Sequence, residues 1–231
     1  MPADEPALIL HMHPLASYCW KVLIALYECK IPFCPVRIDG VPKDHKAYAD
    51  LWPLAKMPLL QDGDRVVPES SIIIEYLQAR HPGAAILLPV DGDAAREVRL
   101  WDRVFDLYVH TPMQKFVSDR MRPEGAKDAA GVAEARATLD TAYAMVDRHM
   151  AGRTWIAGDD FSMADCAAMP PLFYAEAVHP YRAQYPALAA YFERLVLRPS
   201  VQRVIHEARP WLRYFPFADA LEPRFLAASA E

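Results

Sequence analysis

No stretch of this 231-residue sequence approaches the roughly 18 consecutive apolar residues of a membrane-spanning helix. The opening Met1-Pro-Ala-Asp-Glu-Pro6 has neither the basic stretch nor the apolar block of an export signal. Cysteine is scarce. Cys19, Cys29, Cys34 and Cys166 stand at no metal-ligand spacing, and without an export signal they read as reduced thiols rather than a disulfide framework. Nor is there an excess of positive charge: a net charge of −5 argues against nucleic acid or an anionic membrane as the main partner. What remains is the expectation of a soluble cytoplasmic protein without a metal, long enough for a full core and two modest domains.

The first half alternates strand and helix signals. Ala7 to Met12 is a short apolar run without helical spacing, read as a buried strand. After the loop His13 to Ala16, residues Cys19, Val22, Leu23, Leu26 and Cys29 recur at three- and four-residue steps, one face of a helix over Ser17 to Cys29. Ile31-Pro32 ends it, and Phe33 to Ile38 offers a second strand, parallel to the first by a helical crossover. The stretch 43–46 is a solvated loop or short helix. Then Lys56-Met-Pro-Leu-Leu, the turn Gln-Asp-Gly-Asp, and Arg65-Val-Val-Pro-Glu-Ser-Ser-Ile-Ile-Ile-Glu-Tyr-Leu77 predict a hairpin followed by an amphipathic helix ending near His81-Pro-Gly83. The order βαβ then ββα is that of a thioredoxin-like domain over 1–83.

Residues 84–92 form a connector bearing proline and glycine, and 93–231 lack convincing strands. A long helix is expected over 94–118, kinked or interrupted at Pro112. A second spans Ala129 to Met150, and shorter ones cover about 186–197 and 199–208. Phe161-Ser-Met-Ala-Asp165 predicts a capping box, with Ser162 and Asp165 satisfying each other's backbone N–H groups at a helix start. The fold class is thus α/β plus all-α, a thioredoxin-like domain followed by an all-helical one.

Two features of the hairpin point to chemistry. Pro58 opens a strand and removes one backbone donor; a cis bond there turns the N–H and C=O of Met57 toward a ligand lying extended alongside. Glu69 and Ser70 stand where the next helix begins, at the end whose free N–H groups and positive dipole collect an anion. An edge that pairs with extended peptide, beside a pocket for a carboxylate, suits a small acidic peptide such as glutathione.

Ser17-Tyr-Cys-Trp-Lys-Val-Leu-Ile-Ala-Leu26, Lys56-Met-Pro58, Pro68-Glu-Ser-Ser71 and Phe161-Ser-Met-Ala-Asp165, in that order, resemble the cytosolic glutathione S-transferases over nearly the whole chain. The resemblance is to bacterial members near the theta and zeta classes, which use a serine. It implies that Met57 pairs by its backbone with the cysteinyl part of glutathione, and that Glu69 and Ser70 hold the γ-glutamyl amino and carboxylate groups. Pro58 takes the place of the cis-proline. Lys56 matches a contact to the glycyl end, with Lys43 or His45 helping, and Asp165 matches a buried structural cap. It also implies a homodimer and a hydrophobic electrophile as second substrate. Tyr108, His110, Met113 and the aromatic tail from Trp211 to Phe217 are candidates for lining the acceptor pocket, and Asp102 or Asp106 for reaching a neighbouring subunit's glutathione.

The reaction needs a thiolate, whereas a free thiol has a pKa of roughly 8.5. Ser17 at the loop-to-helix junction is placed to donate to it. In the family's pattern, however, the catalytic serine falls at Ala16. His13, Tyr18 or backbone N–H groups are the alternatives to Ser17. A glutaredoxin-type Cys-x-x-Cys would cover Ala16 to Cys19 and keeps only its second cysteine, which argues against dithiol exchange. A glutathione-binding or ligand-carrying protein with little turnover, and a glutathione-dependent peroxidase, reductive dehalogenase or isomerase, are the other readings.

Overall fold

A computed structural model of the chain describes residues 8–40 and 45–226. The chain divides into two compact units, Met1–Leu88 and Pro89–Glu231, a boundary inside the connector. In the first unit the elements run β1 (Ile9–Met12), α1 (Ser17–Cys29), β2 (Cys34–Arg37), α2 (Lys46–Leu51), β3 (Leu59–Asp62), β4 (Arg65–Pro68) and α3 (Ser70–Arg80). Ala7 and Lys43 lie outside the described residues.

These strands form one four-stranded sheet in the order β2-β1-β3-β4. β1 and β2 are parallel, as the helical crossover α1 requires, and β3 runs antiparallel to both β1 and β4. α1 is buried from Cys19 to Leu26, apolar all round except at Lys21. It ends at Lys30, which adopts a left-handed conformation (φ 54°) while its N–H bonds the carbonyls of Leu26 and Tyr27. β2 is shorter than the expected 33–38 and all four of its residues are exposed, consistent with an edge strand that tolerates Pro35. Residue 46 opens a short helix rather than continuing a loop, and Tyr48 of that helix packs with Ile38, Ala55 and Leu59.

In the second unit the helices are α4 (Gly92–Val104), α5 (Thr111–Arg120), α6 (Ala129–Met150), α7 (Met163–Val178), α8 (Pro186–Val196), α9 (Pro199–Leu212) and the single turn α10 (Pro223–Leu226). None of the described residues is long and apolar enough as a helix to cross a membrane. The long helix expected over 94–118 begins earlier. Asp91 caps it by accepting from the N–H groups of Asp93 and Ala94, so residue 92 is helical rather than part of the connector. It also does not break at Pro112. Instead, residues Phe105–His110 widen into a π-helical turn, and both the N–H and the hydroxyl of Thr111 bond the carbonyl of Asp106. The reason is local: Pro112 has no N–H and its ring crowds the carbonyl four residues back, so the preceding turn takes up one extra residue. α9 extends past the expected 208 because Val201, Val204, Ile205, Ala208 and Leu212 continue one buried stripe.

The capping box is formed at the start of α7. Asp165 is fully buried and accepts from the Ser162 N–H (2.8 Å), the Ser162 hydroxyl (3.0 Å), the Ile156 N–H (3.2 Å) and the Tyr191 hydroxyl (2.6 Å). Burial pushes its carboxyl above the usual range, and these four donors oppose that shift. Ser162 and Asp165 therefore join the start of α7 to α8 and to the segment before it. They are structural.

Candidate functional site

The sheet register brings the motifs of the first unit to one place. His11 pairs with Leu59 and Leu59 with Pro68, so the carboxyl end of β1, the amino end of β3 and the carboxyl end of β4 share one end of the sheet. One step beyond the Leu59–Pro68 pair stand Pro58 on one side and Glu69 on the other; a second step brings Met57 and Ser70. The loop 13–16 leaves β1 at the same end. Two helices, α1 and α3, therefore begin there.

Neither amino terminus is capped by a side chain or carries an acidic residue in its first turn. Their first N–H groups and their dipoles offer a positive field to an anion arriving at this end of the sheet. The Met57-Pro58 bond is cis, and among the described residues the Met57 N–H and C=O have no hydrogen-bond partner. Glu69 is held at φ 69° and ψ 121°, a region that non-glycine residues seldom adopt. Such strain persists only where surrounding structure enforces it, and it clusters at binding sites. Glu69 is exposed. Ser70, the first residue of α3, is buried, and its hydroxyl has no partner among the described residues.

The loop before α1 is fixed by Trp20, whose Nε1–H donates to the Pro14 carbonyl at 2.6 Å. Ala16 occupies the N-cap and Ser17 the first helical position, 5 % exposed. Ala16 has no hydroxyl to offer, which leaves Ser17 and the first amides of α1 at the helix start. His13 is turned elsewhere. Its Nδ1 accepts from the Leu15 N–H (3.1 Å) while Nε2 faces the Asp39 carboxylate at 3.8 Å, beside Arg37. Burial lowers its pKa despite Asp39, and the neighbouring Arg37 acts in the same direction. Cys19 is fully buried in the core, and its thiol is pushed up to about 12 by desolvation, which disfavours the thiolate.

The segment leading into Met57 has its own support. The buried Tyr48 hydroxyl donates to the Lys56 carbonyl at 2.7 Å, and the Tyr48 ring lies 5.5 Å from that of His11. His11 Nε2 in turn meets the Gln61 side chain. The Lys56 side chain is exposed. His45 stands at the N-cap of α2, with its Nε2 at 2.5 Å from the Asp39 carbonyl.

The acceptor candidates differ in exposure. His110 and Met113 are each 1 % exposed, inside the helical unit, whereas Tyr108 is 52 % exposed. Residues two apart on a helix do not face the same way, and the π-turn preserves that separation between Tyr108 and His110. Trp211 is half-buried on α9, with its ring 6.3 Å from that of Tyr214. A cavity of about 490 Å³ in this unit is lined by residues such as Gln202, Arg203, His206 and Arg209, and by none of these four. Asp102 and Asp106 are also buried, and both accept from Arg103, so they do not project outward.

Sequence reasoning overlooked Tyr48, His11, Gln61 and Lys21. The first three act through contacts 8 to 50 residues apart in the chain, which no local pattern encodes. Lys21 did leave a signal, as a single charge inside the apolar run of α1.

Comparison with known proteins matches this geometry. A family model described as the glutathione S-transferase N-terminal domain covers residues 10–85, and one for the C-terminal domain covers 129–194. The chain is 30% identical over 207 residues to glutathione S-transferase 3 of Zea mays, spanning 86% of this chain and 93% of that one. Among solved structures, a Methylobacterium radiotolerans glutathione S-transferase in complex with glutathione sulfonate superposes with a TM-score of 0.76 at 29% identity, covering 85% and 93% of the two chains. One from Methylobacillus flagellatus with glutathione bound gives 0.77 at 28%, covering 86% and 98%. On this likeness, which spans both units, the chain belongs to the glutathione S-transferase family.

Proposed function

We propose that this protein is a glutathione transferase that holds the tripeptide at the end of the sheet where α1 and α3 begin. The observation that carries the reading is the convergence there of two uncapped helix amino termini, the unpaired backbone of Met57 and the strained Glu69. Met57 N–H and C=O pair with the cysteinyl residue, as a further strand would. The Ser70 hydroxyl and the first amides of α3 hold the γ-glutamyl carboxylate, the Glu69 carboxylate holds its ammonium group, and Lys56 attracts the glycyl carboxylate. The amides of α1 and the Ser17 hydroxyl favour the thiolate, and the thiol proton passes to solvent. The sulfur lone pair then attacks an electrophilic carbon of an apolar substrate; the new S–C bond forms as the leaving group departs with its bonding electrons.

The protein acts in the cytoplasm, where free thiols such as Cys19, Cys29, Cys34 and Cys166 persist. It acts as a homodimer, for which the exposed Leu100, Leu107 and Tyr108 offer an apolar face. Titration calorimetry with glutathione, followed by conjugation of a chlorodinitrobenzene, tests the function. Saturable binding at or below millimolar concentration together with chloride release is expected. No heat of binding would refute the site, and binding without chloride release would make the chain a carrier of glutathione rather than a transferase.

A further inference from the structure

Lys21 is 1 % exposed, the one charged side chain in the buried part of α1. Its Nζ donates to the Ser71 Oγ at 2.9 Å. Ser71 is the second residue of α3, next to Ser70 and two beyond Glu69, so a cation taken out of water is bonded to the first turn of the helix that begins at the site. As a packing device this is a poor choice. A buried ammonium stabilises a fold less than an apolar side chain of the same length does, because desolvation offsets what its partners return. The charge therefore calls for a use that its volume does not supply.

We propose that Lys21 is a positioning residue for the anionic group held at the start of α3, which, on the function proposed above, is the α-carboxylate of the γ-glutamyl residue. Ser71 fixes the ammonium in the first turn, where its field adds to that of the helix dipole. Glu75 follows four residues after Ser71, one turn further from the helix start. The Glu69 carboxylate is the acidic group at the mouth, and it suits the ligand's own ammonium.

The test compares wild type, Lys21→Met, Lys21→Arg and Ser71→Ala by calorimetry, with two probes: glutathione and 4-aminobutyryl-cysteinyl-glycine, which lacks only the α-carboxylate. Lys21→Met is expected to weaken glutathione binding about tenfold and raise its KM equally, with kcat at saturating glutathione within about twofold. The decarboxylated probe should bind wild type and Lys21→Met alike. Lys21→Arg should restore most of the glutathione affinity, and Ser71→Ala should lose about threefold for glutathione alone. Equal losses for both probes would reduce Lys21 to a structural tie and overturn the inference, as would no loss for either. If Lys21→Met does not fold, Lys21→Arg and Ser71→Ala decide by the same comparison. A wild type that binds neither probe would remove the glutathione reading, and this inference with it.

Discussion

Ser70 and Ser17 occupy the same position on two helices, the first residue after an N-cap whose side chain makes no capping bond. Their chemistry should nevertheless separate. Ser70 meets the ligand's carboxylate in the ground state, so Ser70→Ala should weaken glutathione affinity by about 1–3 kcal/mol, read by calorimetry. Ser17 serves the sulfur, so Ser17→Ala should lower kcat about tenfold while leaving affinity nearly unchanged, read in steady-state conjugation. A Ser17→Ala enzyme with wild-type kcat would leave the amides of α1 as the activator, a natural outcome for a helix whose N-cap is Ala16. Gly83 presents a different residue-scale constraint. Although exposed, it lies so close to α1 that a Cβ would stand 2.3 Å from the Cys29 carbonyl oxygen and 2.5 Å from its Cβ. Gly83→Ala should therefore cost about 1–3 kcal/mol in denaturant unfolding, despite its surface position. Its glycine was legible in the sequence as a helix terminator, but not as a contact, because the contact joins residues 54 positions apart.

At the scale of elements, α3 is tied at both ends. Its start carries Ser70 and Ser71, while its end is pinned to the β3–β4 hairpin by Asp62, which accepts from the Tyr76 hydroxyl (2.7 Å) and lies 2.8 Å from His81 Nε2. The Tyr76 bond first, and then His81, hold the Asp62 carboxyl below its ordinary pKa. A group depressed on folding contributes stability that is present above its unfolded pKa and is lost as pH falls through the folded one. The stability gap between wild type and Asp62→Asn, measured by urea unfolding, should thus be open at pH 6 and close progressively below about pH 4. A gap that stayed constant down to pH 3 would mean that the charge on Asp62 contributes nothing. The π-turn before Pro112 shows what element-level reading of a sequence misses. A proline in a helical pattern announces a disturbance, but whether the helix breaks or widens depends on local bonds such as those of Thr111, whose N–H and hydroxyl both reach the Asp106 carbonyl.

For the whole molecule, the division at Leu88 and Pro89 places every proposed glutathione contact in the first unit. Glutathione at about 100 times its dissociation constant should stabilise the folded chain by about 2.7 kcal/mol, a rise of about 5–11 °C in the midpoint. Scanning calorimetry with and without glutathione measures it, and Ser70→Ala should need proportionally more ligand for the same rise. An unchanged midpoint in wild type would contradict the site.

The strand and helix order, Met57-Pro58, Glu69-Ser70 and the Ser162–Asp165 box were readable directly, because each is written in residues within a few positions of one another. Alternation, three- and four-residue spacing, a proline at a strand start and a capping pair are local physics. The tertiary structure decided what those signals meet. Pairing of His11 with Leu59 and of Leu59 with Pro68 brings three separate segments to one end of a sheet, and Lys21 reaches Ser71 from another helix. The differing exposure of the acceptor candidates has the same origin: the burial of His110 and Met113 is set by the helices packed around them. Long-range register follows from which faces bury together, a property of the folded whole that no short window contains.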